Sequence, residues 1–334
     1  MDIPGFIDLQ VNGYAGVDFS DPSTTPDQIL GVSRILAGEG TVGFLATVTT
    51  GPRTEIEKCI SAIARAIREQ GREHHILGIH LEGPFISKEY GFRGAHPEEF
   101  VCAPDIDWFR RLQMLAEGNI RLVTLAPEQR GAIDFIRRIA RDVIVAAGHT
   151  NCSFEILRES IDAGLRFMTH LGNGCRPMVD RHANPIVHAL AIPELMVSFI
   201  PDGAHLPEAF VRMLIHAHRT DRLFVICDSV KFAGMKPGRH ETRNRTEVVL
   251  AETGRLSLAA DERILAGSTA NMMKCMNMLA SLGVLGEDQL REVGLENQCR
   301  LLSLESARLG LRGHNVRYEP ETRRFSMVTE GQIS

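Results

Sequence analysis

Along the chain, a series of short apolar runs ends in residue types that a buried strand has little reason to carry. ILGIHLEG closes on His80 and Glu82, VIVAAGHT on His149, RFMTHLGN on His170 and Asn173, MVSFIPDG on Asp202 with His205 just beyond, and RLFVICDS on Asp228. Each of these side chains is costly to bury without a partner, so their recurrence at matching positions suggests that they serve one another. Two imidazole nitrogens and a carboxylate oxygen, delivered by three strands, form a common ligand set for a catalytic divalent ion and leave a coordination position for water. Glu82, His149 and His170 are the candidates, and the 21 residues separating the two histidines match one strand–helix–strand unit, which would bring both rings to equal height. Water on such an ion ionises near neutral pH, and a neighbouring carboxylate can take its proton and return it to a leaving group. Asp228 is the candidate for that exchange. A lone histidine here would more often be a hydrogen-bonded loop residue and a lone aspartate a turn cap; the four together favour the metal.

The elements that must position them alternate regularly. Eight apolar runs lie at 4–12, 42–49, 76–83, 120–127, 143–150, 166–173, 196–203 and 222–229, with helical periodicity between them at 25–38, 53–69, 105–117, 131–141, 153–163 and 207–219. In EIEKCISAIARAIREQ the residues Ile56, Ile60, Ile63 and Ile67 recur at spacings of three and four and make one apolar stripe. Ser153 offers an N-cap, while Pro207 and Glu208 suit a first helical turn. Strands apolar on both faces and alternating with helices predict a parallel sheet covered by helices, closed at this count into a (β/α)8 TIM-like barrel; an open doubly wound sheet is the alternative. Barrel sites form at the C-terminal strand ends. That is where the residues above fall, together with Gln10, Asn12, Thr47, Thr49 and Glu128.

After the eighth run the pattern breaks. Residues 236–262 are polar, with EVVLAE and GRLSLA flanking Gly254, and predict a small β-hairpin excursion. Helices are expected again at 269–282 and 286–311, and the tail 312–334 has at most a short strand pair. All 334 residues are expected to form a single barrel domain.

Composition narrows the function class. A net charge of −5 and a pI near 6.2 argue against general affinity for nucleic acid or anionic membrane. Seven scattered cysteines with no CxxC spacing indicate neither a disulfide framework nor a thiolate zinc site. With no secretory leader pattern and no long apolar stretch, a cytoplasmic location is expected.

At these residues the sequence resembles the N-acetylglucosamine-6-phosphate deacetylase family of the amidohydrolase superfamily. The matching segments are PGFIDLQVNG (4–13), GTVGFLATVTT (40–50), GIHLEGPFIS (78–87), RGAH (93–96), AGHT (147–150), THLGNG (169–174), PDGAHLP (201–207), ICDS (226–229) and LAGS (265–268), in the family's order. The resemblance implies that Glu82, His149 and His170 bind one divalent ion, zinc first with Fe2+, Co2+ or Mn2+ as other choices, and that Asp228 is the catalytic acid/base. It implies that His96 and His205 contact the substrate and help polarise the acetamide carbonyl, and that Asn173 and Gly174 meet the sugar. Arg181 falls where an arginine meets the 6-phosphate across a homodimer interface, and an arginine fork suits phosphate. Gln10 and Asn12 stand where many superfamily members carry His-x-His for a second ion; amides are poor zinc ligands, so a single ion is implied. Thr47, Thr49 and Glu128 read as pocket lining or local hydrogen bonding.

The sequence also departs from the family. The leading segment and the strand-rich C-terminal segment of the family's small β-sandwich are hard to find, and 236–262 reads as their possible remnant. The family's Asn-Ala-Met after the second metal histidine is here Asn173, Gly174 and Cys175. The implied activity is metal-dependent deacetylation of an N-acetyl amino sugar, with N-acetylglucosamine 6-phosphate as the expected substrate. Rival readings are an amidohydrolase acting on another amide or cyclic amide, a nucleobase deaminase, and a non-catalytic barrel that retains the metal site. The fourth run lacks the bridging lysine of cyclic-amide hydrolases and AGHT lacks the glutamate usual in the deaminases.

Overall fold

The computed structural model describes residues 1–71, 75–242, 246–305 and 315–328. Eight parallel strands form one sheet in sequence order: β1 (Phe6–Val11), β2 (Thr41–Thr49), β3 (Ile76–Glu82), β4 (Ile120–Leu125), β5 (Ile144–Ala147), β6 (Phe167–Met168), β7 (Met196–Phe199) and β8 (Leu223–Val225). A single parallel bridge between Val11 and Ser229 joins the last strand to the first, backed by Asn12 N donating to Ser229 O at 2.8 Å. The expected barrel is therefore present, with its seam between β1 and β8.

Each strand is followed by a helix that covers the outside: α1 (Pro26–Gly38), α2 (Arg53–Glu69), α3 (Ile106–Leu115), α4 (Ala132–Ile139), α5 (Phe154–Ala163), α6 (Pro185–Leu190), α7 (Glu208–Ala217) and α8 (Met272–Ser281). Their starts follow from capping chemistry. Thr25 and Gln28 form a reciprocal capping box at α1, and Asp105, Ser153 and Asn271 accept first-turn N–H groups of α3, α5 and α8. The periodicity had not indicated α6, which is too short to make a stripe; its signal is Asn184–Pro185, a cap followed by proline at the first helical position. The stripe Ile56, Ile60 and Ile63 of α2 is buried as expected, while Ile67 is half-buried at its edge.

Four expectations need revision. The sixth run, 166–173, is strand only over Phe167–Met168, because His170 turns into the left-handed region and stops the ladder. The excursion is larger than a hairpin: Gly238–Glu241, Glu247–Leu250, Leu256–Leu258 and Asp261–Leu265 form a four-stranded antiparallel sheet between β8 and α8, with its own cluster of Phe232, Val248, Leu250 and Leu256. The chain also has a leading strand, Asp2–Ile3, which pairs with Val316–Glu319, itself paired with Arg324–Met327. The expected helix at 286–311 runs as a helical segment over 287–302 with a π turn at Glu292–Glu296. Residues 306–311 of that expectation, and 312–314 and 329–334 of the tail, lie outside the described residues.

The seam places a carboxyl group inside the barrel. Asp8 of β1 is buried and accepts from Gln10 N at 3.0 Å and Cys227 N at 3.3 Å, with the Cys227 thiol donating as well. Burial pushes its pKa from 3.8 up to about 7, against the pull of these donors. The folded state thus holds a proton that the unfolded chain has released between about pH 4 and pH 7. This group's contribution to stability is full below that window and is lost as pH rises through about 7. Asp8→Asn keeps an acceptor and removes the titration. Its stability relative to the wild type, from urea midpoints, is expected to improve by roughly 2 to 3 kcal/mol between pH 5 and pH 8; a gap that does not change with pH contradicts the assignment.

Candidate metal centre and surrounding cavity

At the C-terminal mouth of the barrel Glu82, the last residue of β3, is buried, and its Oε1 lies 3.0 Å from His170 Nε2 and 3.3 Å from His149 Nε2. All three ligand atoms lie within 4.8 Å of one another. Ligands held tetrahedrally at about 2.1 Å from one zinc-like ion stand about 3.4 Å apart. The donor set therefore fits one divalent cation in chemistry, and both histidine nitrogens stand near that spacing from Glu82. His149 Nδ1 lies 3.0 Å from the Phe92 carbonyl, which fixes the proton on that side and turns Nε2 inward. His170 Nδ1, by contrast, is buried without a partner among the described residues.

Burial acts against the Glu82 carboxylate, yet hydrogen bonds from His149 and His170 outweigh it and hold its pKa well below the usual range. His170 is the reciprocal case: burial disfavours its charge, and the bond to Glu82 reverses that and raises its pKa. Glu82 Oε1 also accepts from Gln10 Nε2 at 2.7 Å, and the same nitrogen lies 3.0 Å from Asp228 Oδ1. Asn12 Nδ2 donates to that Asp228 oxygen at 2.7 Å, leaving Oδ2 without a bond to the described residues. Burial, then the charge of Glu82, pushes Asp228 up to about 6. Gln10 Oε1 accepts from Thr169 Oγ1 at 2.9 Å, so the orientation of the amide is fixed from behind. The amides at positions 10 and 12 thus act as donors to two carboxylates.

The backbone turns sharply at this ring. His149, His170 and Asp228 have φ of 50°, 34° and 51°, a region that side chains other than glycine rarely adopt. Ser87 N donates to His149 O at 2.9 Å and Asn173 N to His170 O at 2.8 Å, so the turned carbonyls are satisfied. Two glycines lie close over the imidazoles. A Cβ on Gly174 (φ 60°) would come 2.9 Å from His149 Nδ1, and one on Gly94 (φ 60°) 3.0 Å from His149 Cε1.

Around this centre lies a cavity of about 560 Å³, bordered by Asn12, His96, Asn173, Gly174, His205 and Asp228. His96 Nδ1 lies 2.8 Å from Thr50 Oγ1, and burial, with His149 alongside, lowers its pKa to about 3, so it is neutral at neutral pH. His205 Nδ1 lies 2.7 Å from Asp202 Oδ2. Burial opposes the Asp202 charge, but His205 and two backbone N–H groups outweigh it and hold the group at about 2. Asn173 Nδ2 is buried and finds no acceptor among the described residues.

The remaining candidates divide by position. Thr49 borders the cavity, whereas Thr47 serves Val11 N and His80, and Glu128 tethers Thr150 and Asn151 behind His149. Arg181 is exposed and does not border the cavity of its own chain. Among residues the sequence reading missed, Thr50, Phe100, Lys231 and Phe232 also line the wall. Lys231 had a signal, being a lysine three residues past a strand-end aspartate; Phe100 and Phe232 come from loops whose folding over the mouth no periodicity announces.

The outer bond to Glu82 is testable on its own. Gln10→Ala removes a donor shared by both carboxylates and is expected to weaken divalent-metal affinity about 10- to 100-fold, as read by competition with a chromogenic chelator. An unchanged affinity contradicts the role given to Gln10.

No protein-family model matches the chain. The N-acetylglucosamine-6-phosphate deacetylase of Bacillus subtilis (strain 168) is 34% identical over 277 residues, covering 81% of this chain and 67% of that protein. The human N-acetylglucosamine-6-phosphate deacetylase is 33% identical over 322 residues, covering 91% and 75%. Among solved structures, N-acetyl-D-glucosamine-6-phosphate deacetylase from Mycobacterium smegmatis superposes with a TM-score of 0.85 at 28% identity, over 99% of this chain and 86% of that one. An aspartate-to-alanine variant of the same enzyme, in complex with N-acetyl-D-glucosamine-6-phosphate, gives a TM-score of 0.84 at 27% identity over the same shares.

Proposed function

The chain belongs to the N-acetylglucosamine-6-phosphate deacetylase family, and from that premise we propose that it hydrolyses the acetamide of N-acetylglucosamine 6-phosphate to acetate and glucosamine 6-phosphate. The observation that carries the reading is the buried group of Glu82, His149 and His170, joined to Asp228 through one amide nitrogen of Gln10. Glu82 Oε1, His149 Nε2 and His170 Nε2 would hold the ion; zinc suits this donor set, and Fe2+, Co2+ and Mn2+ are the other choices. When bound, such an ion supplies Lewis acidity, polarising the carbonyl and lowering the pKa of the attacking water.

The chain's own residues handle the protons and the substrate. Asp228, ionised above about pH 6, takes the proton of the attacking water at its unbonded Oδ2 and passes it to the amide nitrogen as the C–N bond breaks. His96, kept neutral by burial, retains an N–H for the developing carbonyl oxyanion. His205, fixed by Asp202, presents its other nitrogen to the cavity, and Asn173 offers an unpaired amide N–H, with the Gly174 backbone beside it, to the sugar hydroxyls.

Assembly and location belong to the same proposal. Arg181 lies on an exposed loop with Met178 86% and Val179 37% exposed; in a homodimer this loop would cover apolar surface and bring Arg181 to the partner's substrate phosphate. A cytoplasmic location is supported by seven scattered cysteines with no CxxC spacing. Among the described residues no helix is long and apolar enough to cross a membrane. We read the chain as a single barrel domain in which the sheet over 238–265 is an insertion and the sheet of Asp2–Ile3, Val316–Glu319 and Arg324–Met327 joins the leading strand to the C-terminal strands.

Purified protein supplied with zinc is expected to release one acetate per N-acetylglucosamine 6-phosphate, with activity abolished by chelator. Asp228→Asn should lower kcat about 100- to 10,000-fold at unchanged metal content. Failure to release acetate from any N-acetylhexosamine phosphate contradicts the reading.

A further inference from the structure

A phosphorylated sugar brings close to two negative charges into a cavity whose wall already carries the carboxylates Glu82 and Asp228. Among the described residues Lys231 is the one lysine or arginine bordering that cavity. Its root is fixed. Gly16 N donates to Lys231 O at 2.7 Å, Ala15 N to Ala233 O at 2.7 Å and Val230 N to Ser268 O at 2.9 Å. The loop packs so closely that a Cβ on Gly13 would lie 3.1 Å from Lys231 N. The head of the side chain is uncommitted: it makes no hydrogen bond or ion pair among the described residues, and its ammonium sits 5.1 Å from the centre of the Phe232 ring. A half-buried cation on an immobile root, without a carboxylate partner, costs desolvation that an anionic ligand would repay.

Position fits as well. Lys231 follows Asp228 by three residues, so at most about 11 Å of backbone separates the proton-transfer carboxylate from the lysine root. The acetamide nitrogen on C2 and the phosphate on C6 are carried by one sugar ring, so a substrate with its amide at Asp228 has its phosphate within reach of a flexible lysine on the same wall. Arg181 cannot play this part within one chain, since it is exposed away from the cavity.

We propose that Lys231 binds the substrate's phosphate from within the same chain and sets the preference for a phosphorylated over a neutral amino sugar. This rests on the deacetylase reading. Lys231→Met keeps the stem and removes the charge. It is expected to raise KM for N-acetylglucosamine 6-phosphate by about 10- to 100-fold, the effect of losing one charged hydrogen bond, with kcat within about twofold. The inhibition constant of unphosphorylated N-acetylglucosamine should be unchanged, and Lys231→Arg should restore most of the loss. An unaltered KM, or an equal loss for the phosphorylated and neutral sugars, overturns the proposal while leaving the deacetylase reading intact. No turnover of N-acetylglucosamine 6-phosphate by the wild type overturns both.

Discussion

A carboxylate taken out of water at the mouth of a barrel must be compensated, and the architecture of this site follows from how Glu82 is compensated. Three nitrogens, Gln10 Nε2, His149 Nε2 and His170 Nε2, converge on one oxygen. Removing one partner from a buried charge costs several kcal/mol, so strands β1, β3, β5 and β6 are locked in register around it. The same cluster is a candidate cation site, because the two imidazole nitrogens become ligands once they carry no proton. Asp228 is held by the same Gln10 amide, which couples its geometry to that of Glu82.

Keeping this geometry requires backbone strain. Left-handed φ at three side-chain-bearing residues costs on the order of 1 to 3 kcal/mol each. Of the seven side-chain-bearing residues with positive φ among those described, three belong to the site, His149, His170 and Asp228. The strain redirects each side chain from the strand axis across the mouth, and the barrel below tolerates it because its strands are buried on both faces. Gly94 and Gly174 complete the arrangement, since their missing side chains let the covering loops come within van der Waals distance of His149.

Much of this was legible in the sequence because barrel periodicity and strand-end chemistry are local signals. The eight apolar runs foretold the strands, and Glu82, His149, His170 and Asp228 meet as their positions implied. What was hidden is non-local or weak in pattern. The six-residue helix Pro185–Leu190 makes no stripe; the sheet over 238–265 resembled one hairpin because only its two middle strands have clear alternation; and the pairing of Asp2–Ile3 with Val316–Arg317 spans the whole chain. Gln10 and Asn12 could be read as failed metal ligands, but their role as donors to two carboxylates depends on strands more than 70 residues apart. Lys231 was overlooked because its one signal, a place three residues past a strand-end aspartate, does not say that the loop turns it to the cavity wall.

The central claim is that Glu82, His149 and His170 together define one cation site and that Gln10 and Asn12 do not define a second. Anomalous diffraction above and below the zinc edge, on crystals grown with excess zinc, tests it most directly. The account predicts a single peak in the barrel mouth, bonded to Glu82 Oε1, His149 Nε2 and His170 Nε2. A second peak bonded to Gln10 or Asn12, or an empty triad in zinc-saturated protein, would contradict it.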